Sequence, residues 1–333
     1  MTRGHIDDAL LRDRVTRYLH QRIRPAVRVS NTPAAVSAWT CGEPVAFAVA
    51  VAHDFAPVAQ DERWGAPWTT TWFRVTGEAP GAVDGCRSEL VVDLGFSAVM
   101  PGFQAEGMAY RPDGTVVKSI NPTTSWVPVT PGAPFEFFVE AAANPVILNV
   151  DGGPSEAFAP TDLGDPLTAG VDAHYRLGGI RLEVLHLETE RLAQEIEVLT
   201  QLAWALPETS ARRSRVLSAV DAALDALDPG DVRGTAAAAR ALLEPELAAP
   251  SSPRVHEIVA VGHAHIDSAW LWPFRETRRK VARTVANVLE RMDADPLLVY
   301  AMSSAQQYVW LREDHPQLFE RMRERIREGR FLP

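Results

Sequence analysis

Residues 257–279 read Glu257-Ile-Val-Ala-Val-Gly262-His263-Ala-His265-Ile-Asp267-Ser-Ala-Trp270-Leu-Trp272-Pro-Phe-Arg-Glu276-Thr-Arg-Arg279, and this pattern decides the fold. Residues 258–261 are continuously apolar and rich in β-branched side chains. Such a run suits a strand covered on both faces, as in a parallel sheet. It ends at Gly262, and polar residues then recur at every second position: His263, His265 and Asp267. In extended chain, side chains at i and i+2 share a face, so the strand end aims two imidazoles and a carboxylate into one volume. Neutral imidazole nitrogen and carboxylate oxygen are ligands for Zn²⁺ or a similar divalent transition ion. Active sites of α/β barrels collect at the C-terminal ends of strands, where these residues lie. A metal ion takes three or four protein ligands, so an HxHxD run leaves the remainder to come from elsewhere. The alternative for His263 and His265 is a structural role, bonded to backbone groups.

Working outward, the strand is followed by a helix from about Pro273, with Val281, Val285, Val288, Leu289 and Met292 as its buried stripe. Residues 297–302 form a second apolar strand, giving a unit with the length of a right-handed βαβ crossover. A helix carrying Tyr308, Trp310 and Leu311 comes next. Another opens at Pro316, carries Leu318, Met322 and Ile326, and meets a C-cap glycine at Gly329. Phe331-Leu-Pro333 then stands where the next strand begins.

Upstream, residues 36–150 change character. Short apolar or alternating runs (44–49, 70–75, 89–94, 135–140 and 145–150) are punctuated by Pro, Gly, Asp and Asn at intervals typical of a β-sandwich. Trp64, Trp68 and Trp72 concentrate its aromatics; a stacking surface for sugar is one reading, core the preferred one. Residues 151–180 read as an irregular connector rich in Gly, Pro and Asp. Three helices follow: one with Leu192, Ile196, Leu199 and Ala203 in its face, one from near Ser210 with Leu217, Val220, Leu224 and Leu227, and an Ala-rich one over 235–243, ending near Pro245. Their expected role is to space two domains, with residues 248–253 as a boundary. At the N-terminus, residues 6–24 read as a helix on Ile6, Leu10, Val15 and Leu19, stopped by Pro25, with a solvated arginine face. The expected organisation is therefore an N-terminal helical segment (1–35), a β-sandwich (36–150), a connector with helices (151–250) and the beginning of an α/β, barrel-like domain (254–333).

Composition narrows the function. A net charge of −10 without any basic cluster argues against nonspecific nucleic-acid binding. Cys41 and Cys86 are the only cysteines, too few for a disulfide framework and in keeping with a reducing compartment. No apolar leader opens the chain and no stretch approaches the ~20 apolar residues of a membrane span. The expected location is the cytoplasm.

The run from His263 to Thr277 resembles the signature of class II α-mannosidases, glycoside hydrolase family 38, in its cytosolic and vacuolar branch. The likeness continues through Arg278-Arg-Lys-Val-Ala-Arg283, Ser304-Ala-Gln-Gln-Tyr-Val-Trp310 and Glu328-Gly-Arg-Phe-Leu-Pro333. The resemblance implies that His265 and Asp267 bind one divalent metal ion, Zn²⁺ or else Co²⁺, and that Trp270 lines the sugar subsite. His263 matches a position the family does not generally use as a ligand and is kept as a substrate-side candidate. It also implies a galactose-binding-like sandwich ahead of the catalytic domain, mannosides or mannose-containing oligosaccharides as substrates, and relatives that are often oligomers. Retaining glycosidases place two carboxylates about 5–5.5 Å apart across the sugar. By resemblance, the nucleophile and the acid/base lie beyond residue 333, so the chain alone is expected to be inactive. Two other readings stand beside this one. An amidohydrolase-type metal hydrolase explains His263 and His265 but not Asp267 or the Trp270-Leu-Trp-Pro-Phe-Arg-Glu tail. A non-catalytic carbohydrate-binding or assembly module would be built on residues 36–150.

Overall fold

The computed structural model describes residues 8–97, 104–145, 168, 170–250, 258–270 and 272–333. Ile6, most of the 145–150 run, most of the 151–180 connector and the end of the 248–253 boundary lie outside them. The chain divides into two compact units: Met1–Thr32 with Pro80–Glu89 and Glu183–Glu257, and Pro33–Ala79 with Leu90–Leu182 and Ile258–Pro333.

The first unit is helical. Helices Leu187–Ala205, Ala211–Ala226 and Val232–Leu247 pack with Asp8–Tyr18 around Leu11, Val15, Ile196, Val220, Leu224 and Leu243. Side-chain caps set their starts: Ser210 accepts from the Arg213 N–H and Asp231 from that of Gly234. Three features of the N-terminal helix differ from expectation. Leu10 faces solvent and Leu11 is buried in its place, while Val15 and Leu19 are buried as expected. Pro25 does not stop the helix, which runs through a π-type turn at Leu19–Ile23 and restarts as Arg24–Val27. The missing N–H of Pro25 falls in the first turn of that restart, where no intrahelical bond is lost. Nor is the arginine face merely solvated. Arg14 pairs with Asp221 (2.6 Å) and Asp225 (2.7 Å), and Arg12 lies over the Trp204 ring at 4.0 Å.

The second unit holds the sandwich. One sheet has the order Ala56–Pro57, Ala35–Cys41, Thr70–Glu78, Pro134–Ala142, Glu106–Tyr110, Val116–Ile120. In the other, the second unit's stretches Gly179–Leu182, Leu90–Asp93 and Trp126–Pro128 lie side by side in that order. Phe73, Val75, Leu90, Val92, Phe137 and Val139 fill the space between. Trp64, Trp68 and Trp72 are all buried, so this aromatic cluster is core. Trp72 stands on the opposite face of its strand from Phe73 and Val75, with Met108, Tyr110 and Phe138. That outer face is covered in turn by helix Phe274–Ala294, through Ala282, Val285, Ala286 and Leu289. Both faces of the six-stranded sheet are therefore dry, which explains why its central strands are buried almost without alternation.

The same unit contains a three-stranded parallel sheet of Gly262–His263, Tyr300–Ala301 and Phe331–Leu332. Two expectations change here. Residues 258–261 are not strand, and Ile258 and Val259 are 87% and 79% exposed. Pairing with the next strand begins only where the Gly262 N–H meets the Val299 carbonyl, and no described element covers the run before it. The second strand, expected over 297–302, is regular only at Tyr300–Ala301, while the next one forms where expected, at Phe331–Leu332, and pairs with it. The helix stripe matches expectation, with Val281, Val285, Leu289 and Met292 buried.

Charge fixes the helix on the sheet. Glu276 is bound by Arg283, by Arg279 at 3.1 Å and by the Asn144 amide at 2.8 Å. From the sheet, Glu140 reaches Arg279 at 2.8 Å, and Glu106 takes Lys280 and Arg283, the latter at 3.0 Å. Three carboxylates thus meet three cations. Burial pushes the Glu276 carboxyl up, but the charges of Arg283, Arg279 and Lys280 prevail and hold it down to about 2, from 4.5. A folded-state value below the unfolded one gives stability that is present above about 4.5 and is lost as pH falls toward 2. Glu276→Gln should lower unfolding free energy by about 3–5 kcal/mol at neutral pH, since it strands a buried cation. Urea titrations of the variant should also show a shallower loss of stability than wild type between pH 5 and 2.

Candidate functional site

The loop after Gly262–His263 carries the chemistry. Regular strand ends at His263, beside Ala301; residues 264–270 and 272–273 are irregular, and the helix starts at Phe274. His265 Nε2 and Asp267 Oδ1 come within 2.9 Å of each other. The imidazole is 83% exposed and the carboxylate 39% exposed, so the pair is open to solvent on one side. His263 lies on the strand, exposed, and does not line the cavity beside this pair. Trp270 is 43% exposed and packs edge-to-face on Trp272, with ring centroids 5.7 Å apart. The structure thus brings His265 and Asp267 together and leaves His263 and Trp270 at the margin.

A cavity of about 340 Å³ opens beside the pair. Its loop wall is Ala264, His265, Ile266, Asp267 and Trp272; its helix wall includes Lys280, Arg283, Thr284 and Asn287. The sandwich supplies the rest: Glu106, Ser119, Ile120 and Asn121. Asn287 ties helix to sandwich by accepting the Ser119 N–H at 3.0 Å and donating to the Thr124 hydroxyl at 3.1 Å. Sequence reasoning assigned no role to any of these helix and sandwich residues. Lys280 and Arg283 stand in the quoted Arg278–Arg283 run, whose charges were the available signal; Glu106, Ser119 and Asn121 lie in no motif.

The donors at the pair suit a divalent ion: one imidazole nitrogen and one carboxylate oxygen, converging and accessible. Among the described residues, no group of three or more His, Cys, Asp or Glu converges to hold a metal. A larger cavity, of about 590 Å³, is lined by Phe47, Tyr110, Glu140, Arg275, Arg278, Arg279 and His315 and contains none of the sequence-predicted site residues. Its arginines are already matched by carboxylates, Arg275 with Glu43, Arg278 with Asp314 and Arg279 with Glu140. Size alone does not make it the chemical site.

The loop lies within a stretch that matches a known protein family. Residues 255–333 match the family described as "Glycosyl hydrolases family 38 N-terminal domain", and residues 32–177 match "Alpha-mannosidase, jelly roll domain". The chain is 30% identical over 313 residues to "Alpha-mannosidase 2C1" of Homo sapiens, covering 91% of this chain and 28% of that protein. It is 27% identical over 289 residues to "Alpha-mannosidase" of Saccharomyces cerevisiae, covering 81% of this chain and 24% of that protein. The chain therefore spans about a quarter of the length of the curated relatives it matches.

Because the cavity wall depends on Asn287, its removal has a defined cost. Asn287→Ala should destabilise the protein by about 1–3 kcal/mol in urea unfolding, by leaving the Ser119 N–H without its acceptor.

Proposed function

Residues 255–333 belong to glycoside hydrolase family 38, and from that premise we propose that the protein is an α-mannosidase acting on terminal α-D-mannose residues. The observation that carries the reading is the convergence of His265 and Asp267 at 2.9 Å, on the loop that follows a parallel strand. In this proposal the two side chains are part of a divalent metal centre, for Zn²⁺ or Co²⁺. Once bound, the ion supplies a Lewis-acid anchor for adjacent sugar hydroxyls. Trp270, 43% exposed and packed edge-to-face on Trp272, is assigned in this proposal to the face of the sugar ring. The sheet of Gly262–His263, Tyr300–Ala301 and Phe331–Leu332 is read as the first part of an α/β barrel.

The 333-residue chain alone is proposed to be inactive. Hydrolysis of a glycoside takes two carboxyl groups placed across the scissile bond. Among the described residues, the carboxylates lining this cavity are Asp267, turned to His265, and Glu106, neutralised by Lys280 and Arg283. Neither is free to act as nucleophile or acid. A cytoplasmic setting is proposed with it: Cys41 and Cys86 are free thiols, and among the described residues no helix is long and apolar enough to cross a membrane.

Calorimetric titration with Co²⁺ and Zn²⁺ tests the centre. The chain should take up one ion, and His265→Ala and Asp267→Asn should each weaken uptake at least about tenfold. Uptake that ignores both substitutions overturns the assignment. With an aryl α-mannoside and added metal, no turnover is expected; steady turnover abolished by Asp267→Ala contradicts the proposed inactivity.

A further inference from the structure

We propose that Thr277 is the positioning residue of this site, and that the sandwich carboxylate Glu106 acts on the same loop through Lys280 and Trp272. The proposal rests on the reading of His265 and Asp267 as metal ligands.

Thr277 sits in the first turn of helix Phe274–Ala294 and is completely buried. A threonine hydroxyl can donate one hydrogen bond while accepting others, and Thr277 does both. It accepts the Trp272 indole N–H at 2.9 Å and donates to the Asp267 backbone carbonyl at 3.4 Å. One side chain therefore ties both ends of the 267–272 turn to the helix start. The hydroxyl thus bridges a group that only donates, the indole N–H, and one that only accepts, the carbonyl. The face of Trp272 is held as well. Lys280 Nζ lies 4.7 Å from its ring centroid, and that ammonium pairs with Glu106 on strand Glu106–Tyr110. The contacts form a continuous path from the sandwich to Asp267: Glu106, Lys280, Trp272, Thr277. The backbone position of Asp267 sets where its carboxylate can reach, so a loose turn separates it from His265. This path assigns the sandwich a part in the site that needs no sugar binding of its own.

Thr277→Val is nearly isosteric and deletes both hydrogen bonds, whereas Thr277→Ser keeps them. Two readouts are taken on the full chain: Co²⁺ affinity with the visible absorption of bound Co²⁺, and NMR exchange of the Trp272 indole proton. Thermal melts by circular dichroism confirm that each variant is folded. Thr277→Val should weaken Co²⁺ about tenfold, change its absorption and speed indole exchange about tenfold, with Thr277→Ser within about twofold of wild type. Glu106→Gln should act in the same direction, and the double variant should lose less than the sum of the two. Unchanged affinity and exchange in Thr277→Val overturn the proposal, and full additivity removes Glu106 from the path. If the wild-type chain takes up no Co²⁺, the metal reading fails, and exchange alone judges the clamp: slow in wild type and fast in Thr277→Val supports it, fast in both overturns it.

Discussion

The second unit depends on one buried set of charges. Glu276, Arg279, Lys280 and Arg283 leave one side of a helix and meet Glu106 and Glu140 on the outer face of the sandwich sheet. A buried ion network contributes little net stability relative to an apolar equivalent, but a broken one is costly. Its effect is to penalise every other docking. A helix slipped by one turn or rotated by one position would bury a charge without its partner. The apolar contacts of Ala282, Val285, Ala286 and Leu289 with the sheet supply attraction but tolerate sliding. The charges do not.

This constraint makes the sandwich part of the site. Because the helix is locked to the sheet, Glu106, Ser119 and Asn121 stand across a cavity from His265 and Asp267, although well over a hundred residues separate them in sequence. Both lysines of the chain lie at this junction, each against an indole: Lys118 is 3.5 Å from the Trp126 ring centroid and Lys280 is 4.7 Å from that of Trp272. Elsewhere the chain uses arginine for its positive charge. The ammonium is the compact cation, and here it fits over a ring while facing a carboxylate.

The helical unit illustrates a different balance. Its four main helices are recognisable from apolar spacing, although Pro25 and Pro245 lie within helix and do not end it as expected, and the local caps Ser210 and Asp231 set two of the starts. What spacing does not reveal is which arginines are solvated. Arg14 lies 207 residues from Asp221 in sequence, yet their side chains meet because the first helix packs into the same core as the later three. Ion pairs between distant segments follow from packing and have no local signature.

Sequence by itself determined the local facts. Apolar periodicity placed the helices, alternation and turn residues placed the sandwich strands at 70–75, 89–94 and 135–140 but not at 44–49, where Phe47–Ala50 is a helical turn, and the HxHxD run placed His265 and Asp267 within reach of each other, because neighbours two apart need only a permissive backbone to converge. Tertiary structure decided the rest. Residues 258–261 have strand-like composition yet remain outside the sheet, since a strand is made by a partner and their pairing begins only at Gly262. Trp64, Trp68 and Trp72 became core because a second sheet and a helix cover both faces of the first. Glu106 became a wall of the candidate site because Lys280 and Arg283 reach it from a helix far along the chain. Periodicity reports which face of an element is apolar; only the packed fold says what lies against it.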